Sequence, residues 1–157
     1  MTESKSLAVE ELAGLWDYPA PFVIRHQVVE ADTDALGHAN NVCYLAWLER
    51  CAWEHSAAVG FNIEQMLEIN RAMVVRNVQM QYLGATFVGD ELLIGDWIAS
   101  CDGRLRATRR FQMIRTGDKA TVLRADIDFV CINVANGRPS RMPEAFVDAY
   151  TVAPGLD

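Results

Sequence analysis

The stretch that decides the fold is Asp32-Thr33-Asp34-Ala35-Leu36-Gly37-His38-Ala39-Asn40-Asn41-Val42-Cys43-Tyr44-Leu45-Ala46-Trp47. Its first half is a turn-forming run of Asp, Asn and Gly. Its second half opens a segment without proline or glycine that continues to Val59. From Asn41 to Val59 the apolar residues Val42, Tyr44, Leu45, Trp47, Leu48, Ala52 and Val59 surround most of a helical circumference, and Glu49, Arg50, Glu54 and His55 leave one polar stripe. The spacing predicts a helix roughly 28 Å long that needs burial on several sides rather than on one face. Gly60 supplies its C-terminal stop, and Ile63 to Ile69 predicts a short second helix.

Before this helix, Phe22 to Glu30 carries Val23, Ile24, Val28 and Val29 between polar residues and predicts a strand. Tyr18-Pro19-Ala20-Pro21 breaks a short helix predicted over Leu7 to Trp16. After the helix the chain reads as sheet. In Met73 to Leu83 the residues Val74, Val78, Met80 and Tyr82 alternate with Asn77, Gln79 and Gln81, with Arg76 an exception on the apolar face. Leu92 to Cys101 and Leu105 to Arg115 predict two strands joined at Asp102-Gly103, a strong hairpin signal. In the last strand Leu123, Ala125, Ile127, Phe129 and Cys131 face one way, and Arg124, Asp126 and Asp128 the other. The expectation is an α+β domain of five antiparallel strands and one central helix. It divides as an N-terminal appendage over 1–21, a domain over 22–135 and a tail over 136–157.

Composition narrows the function. The 157 residues are 51% hydrophobic, enough for one sizeable core, and 21 acidic against 14 basic residues give a net charge of −7. That balance argues against nucleic acid or an anionic membrane as partner. Met1-Thr2-Glu3-Ser4-Lys5-Ser6 holds no basic stretch leading into an apolar run, and no segment approaches the ~20 apolar residues of a membrane span, so a cytoplasmic protein is expected. Cys43, Cys51, Cys101 and Cys131 are scattered, without a C-x-x-C pair or a His at ligand spacing. They read as small buried residues, and no metal is expected.

The densest polar cluster, Asp32, Asp34, His38, Asn40 and Asn41, meets the start of the long helix. A helix N-terminus presents unpaired N–H groups and a positive dipole end that stabilise negative charge. The same residue types are also favoured simply as caps and turn formers.

The pattern D-x-D-x-x-G-H-x-N-N-x-x-Y-x-x-W resembles the signature of hotdog-fold thioesterases of the 4-hydroxybenzoyl-CoA thioesterase type, and is similar to that of plant acyl-ACP thioesterases. The likeness covers about residues 22 to 135. It implies a hotdog fold, with the sheet curled round the helix, and hydrolysis of an acyl-CoA thioester without a cofactor, coenzyme A being part of the substrate. By the resemblance Asp34 is the catalytic carboxylate, nucleophile or general base, and the Asn41 N–H is the oxyanion donor. His38 matches the plant motif's histidine and either helps activate water or ties down the loop. Tyr44 and Trp47 border an acyl pocket or simply pack. Arg104 and Arg106, beside the hairpin, stand where similar enzymes hold the nucleotide phosphates, or else solvate an outer face with Arg109, Arg110 and Arg115.

Leu36 stands where the plant enzymes carry a catalytic asparagine, so acyl carrier protein is the second substrate class. A 3-hydroxyacyl thioester dehydratase or hydratase, whose Asp-x-Asn-Pro-x-His type motif is absent, and a non-catalytic acyl-binding subunit are weaker readings. Open sheet edges predict a homodimer or homotetramer, with the Arg76 to Tyr82 segment meeting the partner.

Overall fold

The computed structural model describes residues 12–156. Five strands form one antiparallel sheet: β1 (Phe22–Gln27), β2 (Arg71–Tyr82), β3 (Glu91–Cys101), β4 (Arg106–Arg115) and β5 (Ala120–Asn133), in the order β1-β3-β4-β5-β2. Helix α1 (Asn41–Ala58) lies against one face; α2 (Ile63–Ile69) follows it, and α3 (Glu144–Ala149) closes the chain. This is the expected hotdog. The first half of the helix predicted over Leu7 to Trp16 lies outside the described residues, and within its described half a single 3-10 turn forms, Ala13–Leu15.

The core sits between α1 and the sheet. Tyr44, Trp47, Leu48 and Cys51 of α1 meet Leu92 and Ile94 of β3, Phe111 and Met113 of β4, and Leu123, Ala125 and Ile127 of β5. Within one chain α1 is buried along a single face, against the sequence-based expectation: Val42 is 72% exposed and Trp53 46%. The second side that its composition calls for is left to solvent.

Three details depart from the periodicity reading. The first strand ends at Gln27 rather than Glu30, because the Asp32 carboxylate accepts from the Val29 N–H (3.0 Å) and winds Glu30–Asp32 into a 3-10 turn. In β2 the register slips between Val75 and Asn77, leaving Arg76 as a bulge. Val75 then pairs with Phe129 and Val78 with Ile127, both on the helix-facing side, so Val75, not Val74, continues the apolar row. Third, the tail, where periodicity shows no element, carries α3. Phe146 and Tyr150 are buried with Met66, Ile98, Cys131 and Met142 in a second cluster.

Residues 12–21 pack on part of the sheet's other face, over β3 and β4. Trp16 lies edge-on to Trp97, whose Nε1–H donates to the Pro19 carbonyl (3.0 Å). Trp16 rests on Gly95, where a Cβ would come within 2.6 Å of its ring, so only glycine fits. No helix among the described residues is long and apolar enough to cross a membrane.

Candidate active site

The segment 33–39 folds as a tight hairpin across the entry to α1. Thr33 and Ala39 form a bridge, the Asp34 N–H donates to the His38 carbonyl (2.8 Å), and the Gly37 N–H donates to the Asp34 carbonyl (3.0 Å). Gly37 takes φ 78°, which costs glycine little. The Asp34 Oδ1 accepts from the Leu36 N–H (2.8 Å), which fixes the side chain as an Asx turn. Asp34 and Leu36 are exposed in the isolated chain, Leu36 at 77%.

Asp32 does a different job from Asp34. Its carboxylate holds His26 Nε2 (3.0 Å) as well as the Val29 N–H, and its carbonyl accepts from the Asn40 N–H (2.7 Å). The turn is thereby strapped to both β1 and the helix start. Asn40 is the N-cap: its side chain accepts from the Val42 N–H (3.3 Å), and its carbonyl accepts from the Cys43 N–H (2.9 Å). The Asn41 N–H, first in the helix, donates to no acceptor among the described residues. Cys43 is no rival nucleophile, since burial and then the Asp32 charge push its thiol above the usual range.

The His38 ring packs edge-on against Phe87 (centroids 5.0 Å), and its tie to Asp34 runs through backbone alone. Tyr44 and Trp47 are buried. The Tyr44 hydroxyl lies 2.8 Å from Thr86 Oγ1, and the rings of Tyr44 and Trp47 meet at 4.9 Å. Tyr82 reaches back from the end of β2, its hydroxyl donating to the Asn41 carbonyl (3.1 Å).

Arg104 and Arg106 are not brought to this loop. The loop bridges to Phe87, just before β3, whereas the two arginines follow the far end of β3, and its 11 residues span roughly 35 Å. The Asp102 Oδ1 accepts the N–H groups of Arg104, Leu105 and Arg106 (2.8, 2.9 and 3.0 Å), which shapes the hairpin. Those N–H groups, Arg106 first, hold the Asp102 carboxyl below the usual range. Arg106 shares a surface groove with Arg76, Asn77, Thr108 and Asp128.

A cavity of about 370 Å³ opens between α1 and the sheet, farther along the helix than Asp34, His38 and Asn41, none of which lines it. Ala52, Met66, Met73, Ile98 and Phe129 give it apolar walls, and Glu49, Ser56, Arg109 and Tyr150 are its polar groups. Sequence reasoning missed Arg109, grouping it with Arg110 and Arg115. The signal was there, since Ala107, Arg109, Phe111 and Met113 share one parity, which places Arg109 on the buried face. Glu49 was read only as part of the polar stripe.

A model of the thioesterase-like superfamily matches residues 28–150. The chain belongs to that superfamily, and it is a thioester hydrolase. Solved structures agree on the fold. A 1,4-dihydroxy-2-naphthoyl-CoA thioesterase from Synechocystis, Slr0204, superposes with a TM-score of 0.74 at 17% identity, covering 83% of this chain and 96% of that one. The hypothetical protein SAV2348 from Staphylococcus aureus, solved in complex with CoA, gives 0.80 at 15% identity, covering 89% and 90%. The gentisyl-coenzyme A thioesterase BH1999 gives 0.73 at 16%, covering 82% and 99%. No curated relative matches the sequence.

Proposed function

We propose that this thioester hydrolase acts on acyl-CoA, with Asp34 as the catalytic carboxylate and the Asn41 N–H as oxyanion donor. The observation that carries the reading is a carboxylate fixed on a turn strapped across the entry to α1, whose first N–H donates to no acceptor among the described residues. Hydrolysis needs both parts: a base or nucleophile aimed at the thioester carbon, and a donor for the charge that builds on its oxygen. Two similar folds named as CoA thioesterases and a third solved in complex with CoA support coenzyme A as the carrier. Arg106 and Arg76, together in one groove, suit its phosphates. Since that groove lies at the far end of β3, it serves the Asp34 loop of a partner chain, and the site is shared between two copies.

A second reading rests on Glu49, the one acid among the described residues that line the cavity. Turnover of Asp34→Asn and Glu49→Gln separates the two. Asp34→Asn is expected to lower kcat by roughly 10²–10⁴ with ligand binding retained, and Glu49→Gln to act within about threefold. The reverse order assigns the chemistry to Glu49.

A further inference from the structure

We infer that His26 is a positioning residue for the hydrolysis: its Nε2–H, bonded to Asp32, holds the near arm of the Asp34 hairpin to the sheet and so sets where the Asp34 carboxylate stands before the Asn41 N–H. The inference rests on the Asp34 reading above and adds to it the group that aims the carboxylate.

The place of His26 in its strand is the first sign. Phe22, Ile24 and His26 share one parity of β1, and Phe22 and Ile24 pack on the core between α1 and the sheet. A hydrocarbon side chain would continue that row as well, so the ring nitrogens need a reason. Both have a partner. Nε2 lies 3.0 Å from Asp32 Oδ2, and Nδ1 lies 3.4 Å from Arg50 Nη1. A carboxylate accepts and a guanidinium only donates, so Nε2 carries the donated proton and Nδ1 accepts. The ring is held in that orientation from α1. It rests on Trp47 with centroids 4.2 Å apart, and Arg50, three residues along the same helix, is itself bonded to the Arg25 carbonyl (3.0 Å).

The hairpin that carries Asp34 is bonded within itself, through the Leu36 N–H and the His38 carbonyl, so it moves as a unit and its anchors decide where Asp34 stands. The far arm is tied to the loop before β3 by the Ala39 N–H, which donates to the Thr86 carbonyl (2.8 Å). The near arm leaves from Asp32, two residues before Asp34. There the Val29 N–H bond stays within the local 3-10 turn, and the Asn40 N–H bond closes the base of the hairpin. His26 supplies the bond from the sheet. The two side chains are 13% and 16% exposed, so water competes little for that bond. Without it the hairpin is held by its far arm and the helix start alone and can tilt. A shift of about 1 Å at a reacting group can cost as much as roughly 10²-fold in rate. Substrate contacts remote from the hairpin are untouched.

The test compares His26→Gln with His26→Met in steady-state turnover of the acyl-CoA that wild type hydrolyses fastest. The two replacements have similar size and both remove the ring from Trp47, but the glutamine amide nitrogen reaches the place of Nε2 and methionine has no donor. Packing alone favours methionine on this half-apolar row; the inference favours glutamine. His26→Gln is expected to keep kcat within about threefold of wild type, and His26→Met to lower it about tenfold or more, each with KM within about twofold. Equal kcat in the two variants, or a loss confined to KM, overturns the inference. Should His26→Met not fold, as judged by circular dichroism, His26→Asn, whose amide ends near the place of Nδ1, replaces it with the same expected loss. A second comparison reads the route: in an Asp32→Ala chain the difference between the two His26 variants is expected to vanish, and a difference that persists overturns action through Asp32. Asp34→Asn is measured beside them. Little loss there overturns the Asp34 reading and this inference with it, whereas a large loss there with equal kcat in the His26 variants overturns this inference alone.

Discussion

At the scale of the residue, the two aspartates of the signature divide the work by geometry. Asp32 spends its carboxylate on the Val29 N–H and His26, whereas Asp34 gives one oxygen to the Leu36 N–H and otherwise faces solvent. The proposed oxyanion donor is a backbone group, so the Asn41 side chain is dispensable and its N–H is not. Asn41→Ala is expected to keep kcat within about threefold, and Asn41→Pro to lower it about a hundredfold or more, since loss of one oxyanion donor costs that much. Proline is tolerated at a first helical position, so circular dichroism of the variant should match wild type. Equal kcat for the two variants contradicts the backbone role.

Among the elements, those with a regular period were legible and those set by one unusual contact were not. The α1 helix was readable from Asn41 to its end because nothing in it breaks the pattern, and β5 because its alternation is unbroken. The bulge at Arg76 was visible only as an arginine in the wrong place, since periodicity presumes a constant register. The tail helix α3, of six residues, is too short to show a period and is held by Phe146 and Tyr150 in the second cluster. In the candidate site the sequence supplied the residues through a resemblance, but not their separation. Nothing in the spacing of Arg104 and Arg106 from Asp34 says that a whole strand stands between them. The consequence is testable with these two arginines. Arg104→Ala with Arg106→Ala is expected to raise KM for acyl-CoA about tenfold or more with little change in kcat, because phosphate contacts remote from the thioester bind ground and transition states alike. A short acyl thioester lacking the nucleotide should be turned over unchanged. An equal loss on both substrates places the arginines in the scaffold.

For the whole molecule, three observations call for a second copy. Strand β2 is a 12-residue edge whose outer side pairs with no other strand among the described residues. One side of α1, with Val42 and Trp53, is open. The Asp34 turn is open to bulk solvent in the single chain, and a partner surface over it would strengthen its electrostatic interactions with a bound thioester. Sedimentation at assay concentration is expected to show at least a dimer, and at acyl-CoA concentrations well below KM, mixing Asp34→Asn chains with Arg76→Ala, Arg106→Ala chains should raise the rate above that of either alone, through one composite site of two wild-type halves. A fully active monomer contradicts a shared site.

The central claim, acyl-CoA hydrolysis, is tested most directly by release of free thiol from a panel of aliphatic and aryl acyl-CoAs by the wild-type protein. Turnover of at least one member at about 1–10³ per second, the ordinary enzymatic range, is the predicted result. No release above the uncatalysed rate from any member, with acyl carrier protein thioesters turned over instead, would contradict it.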